Sequence, residues 1–543
     1  MPFLFHELKN HLLNDPLSDW FEKISLISDV FQKDKENLFY TEIEKQKKEY
    51  HNHFLFYLNQ STKIYEYIDN NTTRNIMKNK EKCIFYKPEL YNKKYNILVK
   101  PDFIIHKDIF FEIFNKIIFP ESVSENIPEY IIFDLLYKKI SFNSNKSDIL
   151  NDGSIFYHKC KLFIANDCLY NKNKLGFFIA KEYKHINKIL NKKENIGYFP
   201  FLNDHKIKIK ESIDWLHKLN NNYNDWIIYP KPSINELYPN LNIKNIHWNE
   251  EKKRLGELIK EITLIWNISY SKRCILLQKG ITKWDDPLLL SNIYPYKIKE
   301  NKRKYIQDKI IHINQQDSIK ISPRKIKNIK FIDIIKNKQN SIILDIESIL
   351  DLKEKENYFD DIINIEKPRI CIIGTIISET NIFKDFTIRY CKNYEEKIII
   401  NYWLSYIKKQ INNDVIKIYH WGNAEKVYID YMKKKYPDLN YPHFEMIDLL
   451  NYFKMEPITI KGCFGYGLKE IVNSLYNLEL LNDKWIDDTD GLDAMTELMK
   501  TSELAQVKNI PMKRFIKIKN LIYYNYMDCK VIVDILHMLE DMI

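Results

Sequence analysis

The clearest rhythm of apolar and polar positions lies in the second half of the chain. From residue 341 onward, short β-branched runs alternate with longer amphipathic stretches. Residues 341–344, 369–375, 385–390 and 416–419 have the length and isoleucine content of strands. Residues 395–410 and 423–435 place apolar side chains at i, i+3 and i+4 and predict helices, and a last helix is expected to run to about Met542. Strands interleaved with helices imply an α/β layer architecture. The first half is less regular. Residues 1–80 read as helical, 69–82 as an Asn/Lys-rich loop, and 82–86, 95–99, 103–105, 130–136 and 175–180 as short strands. A helix is predicted over 157–169, and residues 206–225 and 249–290 read as mostly helical.

Length divides this pattern into parts. At 543 residues the chain exceeds one ordinary domain. The reading is of three segments: an α/β domain over 1–235, a helical and basic connector over 236–335, and a second α/β domain over 336–543. A hydrophobic content of 45% suffices for real cores. The net charge of +10 suits a polyanionic partner, although a lysine-rich codon bias gives the same excess. The eight cysteines are scattered without a C-x-x-C pair, which argues against zinc or iron–sulfur ligation. No long apolar stretch and no leader pattern is visible, so a soluble, intracellular protein is expected, without a membrane partner.

The candidate chemistry is carboxylate chemistry. The run Leu344-Asp345-Ile346-Glu347 ends a predicted strand, where residues i and i+2 share a face. Asp345 and Glu347 would therefore stand side by side and repel unless a hard divalent cation neutralised them. Glu425 falls in the first turn of the helix after the strand 416–419. Asp448 lies near another short strand. Tyr524 and Asp528 are i and i+4 on the last helix.

This ordered set resembles the DnaQ-like, or DEDD, exonucleases of the ribonuclease H-like superfamily. Asp345 and Glu347 match the first motif, and Tyr524 and Asp528 match the tyrosine form of the last. Glu425 stands where that family usually has Asp. The resemblance implies that Asp345, Glu347, Glu425 and Asp528 hold two Mg²⁺ or Mn²⁺ ions while Tyr524 orients water. It implies hydrolysis of DNA or RNA, in the 3′→5′ direction.

The first half carries a second set. Pro101-Asp102 is followed some 30 residues later by Phe133-Asp134-Leu135-Leu136-Tyr137-Lys138. This resembles the PD-(D/E)xK core of RecB-like nucleases, whose two acids hold Mg²⁺ and whose lysine assists water. The lysine position holds Leu136, so Lys138 is considered as a migrated lysine. Lys161 stands where such proteins often carry Gln. Two departures imply a degenerate site. The whole chain thus resembles a predicted RecB-family nuclease with a C-terminal ribonuclease H-like domain, of the kind found in large DNA viruses. That implies a restriction-endonuclease-like first domain. In the connector, a Gly-Ile turn at Lys279-Gly280-Ile281-Thr282-Lys283 is a candidate helix-hairpin-helix contact to phosphates, through Lys279, Gly280 and Lys283. The basic stretch 296–330 is a second candidate contact to nucleic acid. The rival reading is a non-catalytic nucleic-acid-binding protein built from decayed nuclease folds.

Overall fold

A computed structural model describes residues 2–35, 38–58, 63–115, 117, 127–169, 174–186, 188–191, 194–294, 302–350, 368–390, 392–485 and 491–543. The basic positions 295–301 and Cys391 lie outside the described residues. The chain is a mixed α/β protein. The described residues divide into two compact units where the sequence reading has three segments: one within 1–35 and 40–255, the other within 38–39, 256–350 and 368–543. The expected connector does not stand apart, because Ile262, Trp284, Ile306 and Phe331 share one apolar core with Ile343, Tyr419, Phe453 and Val531.

In the first unit, strands β1 (Ile64–Glu66), β2 (Ile84–Tyr86), β3 (Phe103–His106), β4 (Tyr130–Phe142), β5 (Leu175–His185), β6 (Lys188–Leu190) and β7 (Gly197–Pro200) form one sheet. Its order is β7-β5-β4-β3-β2-β1, with β6 pairing β5 beyond that path. β4 is central, antiparallel to β3 and parallel to β5. Phe133, Leu135 and Leu136 are all buried, as befits a strand covered on both faces. Helix Ile155–Cys168 packs against β4. Two local expectations fail. The segment read as a loop contains helix Asn70–Lys78, started by the Asp69 side chain, which accepts from the backbone N–H groups of Asn71 and Thr72. The region read as wholly helical contains β1.

In the second unit, β8 (Ser341–Leu350), β9 (Pro368–Ile377), β10 (Ile382–Thr387), β11 (Val415–His420) and β12 (His443–Asp448) form a sheet of order β10-β9-β8-β11-β12. β8 is antiparallel to β9 and parallel to β11. Its pairing with β11 covers only Ser341–Ile343 against Lys417–Tyr419. Asp345 and Glu347 therefore project beyond the last rung, beside the turn that leaves β11. Helices Ala424–Lys435, Leu468–Asn477 and Ile516–Glu540 complete the surroundings. The last packs on β8 and β9. Among the described residues no helix is long and apolar enough to cross a membrane.

The candidate phosphate-binding turn is a helix stop. Helix Tyr270–Gln278 ends at Lys279, whose N–H bonds Leu276 O at 3.0 Å. Gly280 takes φ +79°, its N–H bonds Leu277 O, and the Ile281 N–H bonds Leu276 O. This is the left-handed helix ending that glycine favours. The amides of Lys279, Gly280 and Ile281 are thus bonded to the end of the helix. Lys279 Nζ donates to Asn292 Oδ1 at 3.0 Å, and Lys283 is exposed.

Candidate metal centre

The second unit brings three of its predicted acids together. One carboxylate oxygen each from Asp345, Glu347 and Asp528 lies within 4.8 Å of the others. β8 supplies two of them from one face, and the last helix supplies the third. The approach of that helix depends on Gly374, which pairs with Asp345 across the sheet. A Cβ at Gly374 would lie 1.6 Å from Asn525 Oδ1. With glycine there, Asn525 reaches over the strand and donates Nδ2–H to Asp345 Oδ2 at 2.5 Å. Cys529 Sγ also donates to Gly374 O.

Electrostatics make the cluster unstable as bare carboxylates. Two unit charges 4.8 Å apart repel by about 3 kcal/mol at an effective dielectric constant of about 20. Burial pushes Asp345 up to about 7, against the hydrogen bond from Asn525. Burial raises Glu347 well above the carboxylate range, and the charges of Asp345, Asp528 and Glu425 add to it. Asp528 is raised by burial and by Asp345. Trp485 Nε1 donates to Asp528 Oδ1 at 3.1 Å, and the Tyr524 hydroxyl also bonds Asp528. The Tyr524 hydroxyl is itself raised, by burial and then by Asp528, so it is a donor rather than a base.

Glu425 is not in the set of three, but it belongs to the same charge system. Burial pushes it up to about 8, and Asp345 adds to the rise. Its Oε2 is buried without a hydrogen-bond partner and lies 3.6 Å from His420 Nδ1. His420 is 1% exposed, and neither of its ring nitrogens has a hydrogen-bond partner. Orphaned buried polar atoms cost about 1–3 kcal/mol each and need an explanation. Converging carboxylates with such atoms at their edge fit hard divalent cations.

The turn carrying Glu425 is braced by Asp448. Its Oδ1 accepts from the Gly422 N–H at 2.9 Å and from the Leu450 N–H at 3.1 Å. Gly422 has φ +91°, which disfavours any other residue there. Beside this turn opens a groove of about 960 Å³, lined in part by Trp266, Lys302, Arg303, Asp448, Tyr452 and Lys454. Lys302 and Arg303 belong to the basic stretch noted in the sequence.

Several participants went unassigned in the sequence. Asn525 could have been flagged, because it interrupts the buried stripe Ile518, Leu521, Cys529 and Ile532 of the last helix. Lys469 and Trp485 carried no such signal. The Lys469 ammonium lies 5.6 Å from the Trp485 ring centre and 5.1 Å from that of Tyr524. Its charge opposes the rise at Glu347 and Asp528.

In the first unit Asp102 and Asp134 do meet. Asp134 Oδ1 accepts from the Asp102 N–H at 3.1 Å, and Asp102 Oδ2 accepts from the Leu135 N–H at 3.0 Å. Lys138 does not join them. The register of β4 shifts between Leu136 and Lys139, so the alternation that would keep Lys138 on the face of Asp134 breaks. Lys138 Nζ donates to Asp152 O at 3.2 Å instead. The ammonium comes from Lys161, 2.9 Å from Asp134 Oδ1 and 3.2 Å from Asp102 Oδ1. His158 Nδ1 lies 2.8 Å from Asp134 Oδ2.

Comparison with protein-family models, curated proteins and solved structures found no match to this chain.

Proposed function

We propose that the second unit is a metal-dependent nuclease, hydrolysing phosphodiester bonds of DNA or RNA as a 3′→5′ exonuclease. The observation that carries this is the convergence of Asp345, Glu347 and Asp528 within 4.8 Å, where burial and mutual repulsion outweigh the opposing charge of Lys469. Asp345, Glu347 and Asp528, with Glu425 at the edge, would hold two Mg²⁺ or Mn²⁺ ions. Bound there, such ions would supply positive charge to the attacking water and to the leaving oxygen. The order of these residues along the chain supports the DnaQ-like resemblance: a central strand, the helix after the next parallel strand, and the last helix.

The chain's own groups have distinct tasks. Asn525 fixes the Asp345 carboxylate, and Trp485 fixes that of Asp528. The Tyr524 hydroxyl directs a hydrogen bond towards Asp528 and would orient water beside it. Lys469 supplies a positive charge within the field of Glu347 and Asp528. The groove beside the Gly422 turn offers aromatic faces and cations together, the combination that holds single-stranded nucleic acid.

The test is cleavage of end-labelled single-stranded DNA and RNA with Mg²⁺ or Mn²⁺, against chelator and against Asp345→Asn. Stepwise shortening from the 3′ end that disappears in both controls is expected. Tight binding of the oligonucleotides without cleavage in any metal would favour the non-catalytic reading.

A further inference from the structure

The Asp102–Asp134 pair has the charge and spacing of a cation site, yet its geometry is already complete. All four carboxylate oxygens face a donor or a histidine ring nitrogen. Asp134 Oδ1 takes the Asp102 N–H and the Lys161 ammonium, and Asp134 Oδ2 faces His158 Nδ1. Asp102 Oδ1 takes the Lys161 ammonium, and Asp102 Oδ2 takes the Leu135 N–H, with His51 Nε2 at 3.8 Å. Lys161 is rooted on helix Ile155–Cys168, which packs on β4 and so holds the ammonium between the two acids. Its side chain is only 13% exposed and that of Asp134 is fully buried.

We propose that Lys161 is a tethered counter-ion: its ammonium fills the cation position of the Asp102–Asp134 pair, so this site takes no divalent metal until the lysine is removed. A divalent ion bound between these carboxylates would stand within a few ångströms of Nζ, and two cations that close repel strongly in a buried site. The charge state agrees. Burial alone would raise Asp134, but Lys161 and His158 overturn that and hold it below the usual carboxylate range. Burial alone would lower Lys161, but Asp102 and Asp134 overturn that and hold it charged. The residues therefore do not fit a resident metal, although the acids themselves do. Freed of the ammonium, two carboxylates on rigid backbone suit a Mg²⁺- or Mn²⁺-type ion that keeps several waters.

The experiment uses the full chain carrying Asp345→Asn and Asp528→Asn, so that the other acidic cluster does not compete. Mn²⁺ binding is measured by titration calorimetry and thermal unfolding is followed with and without Mn²⁺. The parent is expected to show no Mn²⁺-dependent shift that Asp134→Asn removes. Adding Lys161→Gln is expected to create one Mn²⁺ site and a rise in Tm of several degrees on adding the ion, both lost with Asp134→Asn. Lys161→Arg, which keeps the charge, is expected to behave as the parent. If Lys161→Gln is unfolded in chelator, recovery of the fold by Mn²⁺ supports the proposal, and failure to recover overturns it. Mn²⁺ uptake at Asp134 with Lys161 intact, or no uptake after its removal, also overturns it.

Discussion

The two units start from similar material and end with opposite charge balances. Each sets acids on or beside a buried central strand: Asp102 and Asp134 in one, Asp345 and Glu347 in the other. In the first, the packed helix brings Lys161 between them, and the ammonium lies 2.9 and 3.2 Å from the two carboxylates. In the second, the packed helix brings Asp528, a third acid. With an effective dielectric constant of about 20, the first contact is attractive by roughly 5 kcal/mol and the second repulsive by about 3 kcal/mol. Acids on a strand thus do not by themselves make a metal centre. On the reading proposed above, the residue on the helix packed against them would decide whether the chain or the solvent supplies the cation.

The sharpest way to break this comparison is to neutralise one acid in each unit. Asp345→Asn or Asp528→Asn is expected to lower hydrolysis by about 10³-fold, equivalent to roughly 4 kcal/mol of barrier. Asp134→Asn is expected to change the rate less than about twofold on the same scale. The reverse ranking in an oligonucleotide assay would move the activity to the first unit. Next in size, Lys161→Ala in metal-free buffer should lose about 3 kcal/mol of stability in urea unfolding, because it strands two buried carboxylates. An unchanged midpoint would remove Lys161 from its assigned role.

Gly374→Ala tests how the third acid arrives. The new Cβ would collide with the Asn525 side chain, so Asn525 must leave Asp345 or the last helix must shift. Stability should fall by about 2 kcal/mol, and hydrolysis by roughly 10²-fold, as expected for a displacement of about 1 Å. A smaller effect separates the units by pH. Asp345 and Glu425 are raised in the folded protein to about 7 and about 8. The metal-free fold therefore holds protons that the unfolded chain releases, and its stability falls as pH rises from the ordinary carboxylate range to about 8. The loss should be on the order of 1–2 kcal/mol relative to Asp345→Asn, and saturating Mg²⁺ should abolish it. A denaturation series at pH 5, 6, 7 and 8 decides this. Smallest of all, Lys302→Ala in the groove is expected to raise KM about threefold with kcat unchanged, about 0.6 kcal/mol of uniform binding. A fall in kcat alone would place that lysine nearer the chemistry.

Much of the second unit was legible because its signals are local. The β-branched run of β8 and the i, i+4 spacing of Tyr524 and Asp528 can be read within a few residues, and the structure honours both. What escaped was set by contacts distant in sequence. Asn525 acts on Asp345 from 180 residues away, through a gap that exists only because residue 374 lacks a side chain. The role of Lys161 depends on how its helix docks on β4, whereas the sequence marked only an unusual residue at that position. Lys138 was misjudged because strand alternation was extended across a break in register. The turn at Gly280 was read for its glycine alone, and the same glycine serves to end a helix.

The separation between β8 and the last helix has a consequence in time. Asp345 leaves the ribosome long before its partners Asn525 and Asp528, which follow some 180 residues later. At about 5–20 residues per second, roughly ten to forty seconds of synthesis pass between them. During that interval the nascent chain has Asp345 and Glu347 but neither the third acid nor the tyrosine. An acidic cluster assembled in this order stays incomplete until the last helix docks.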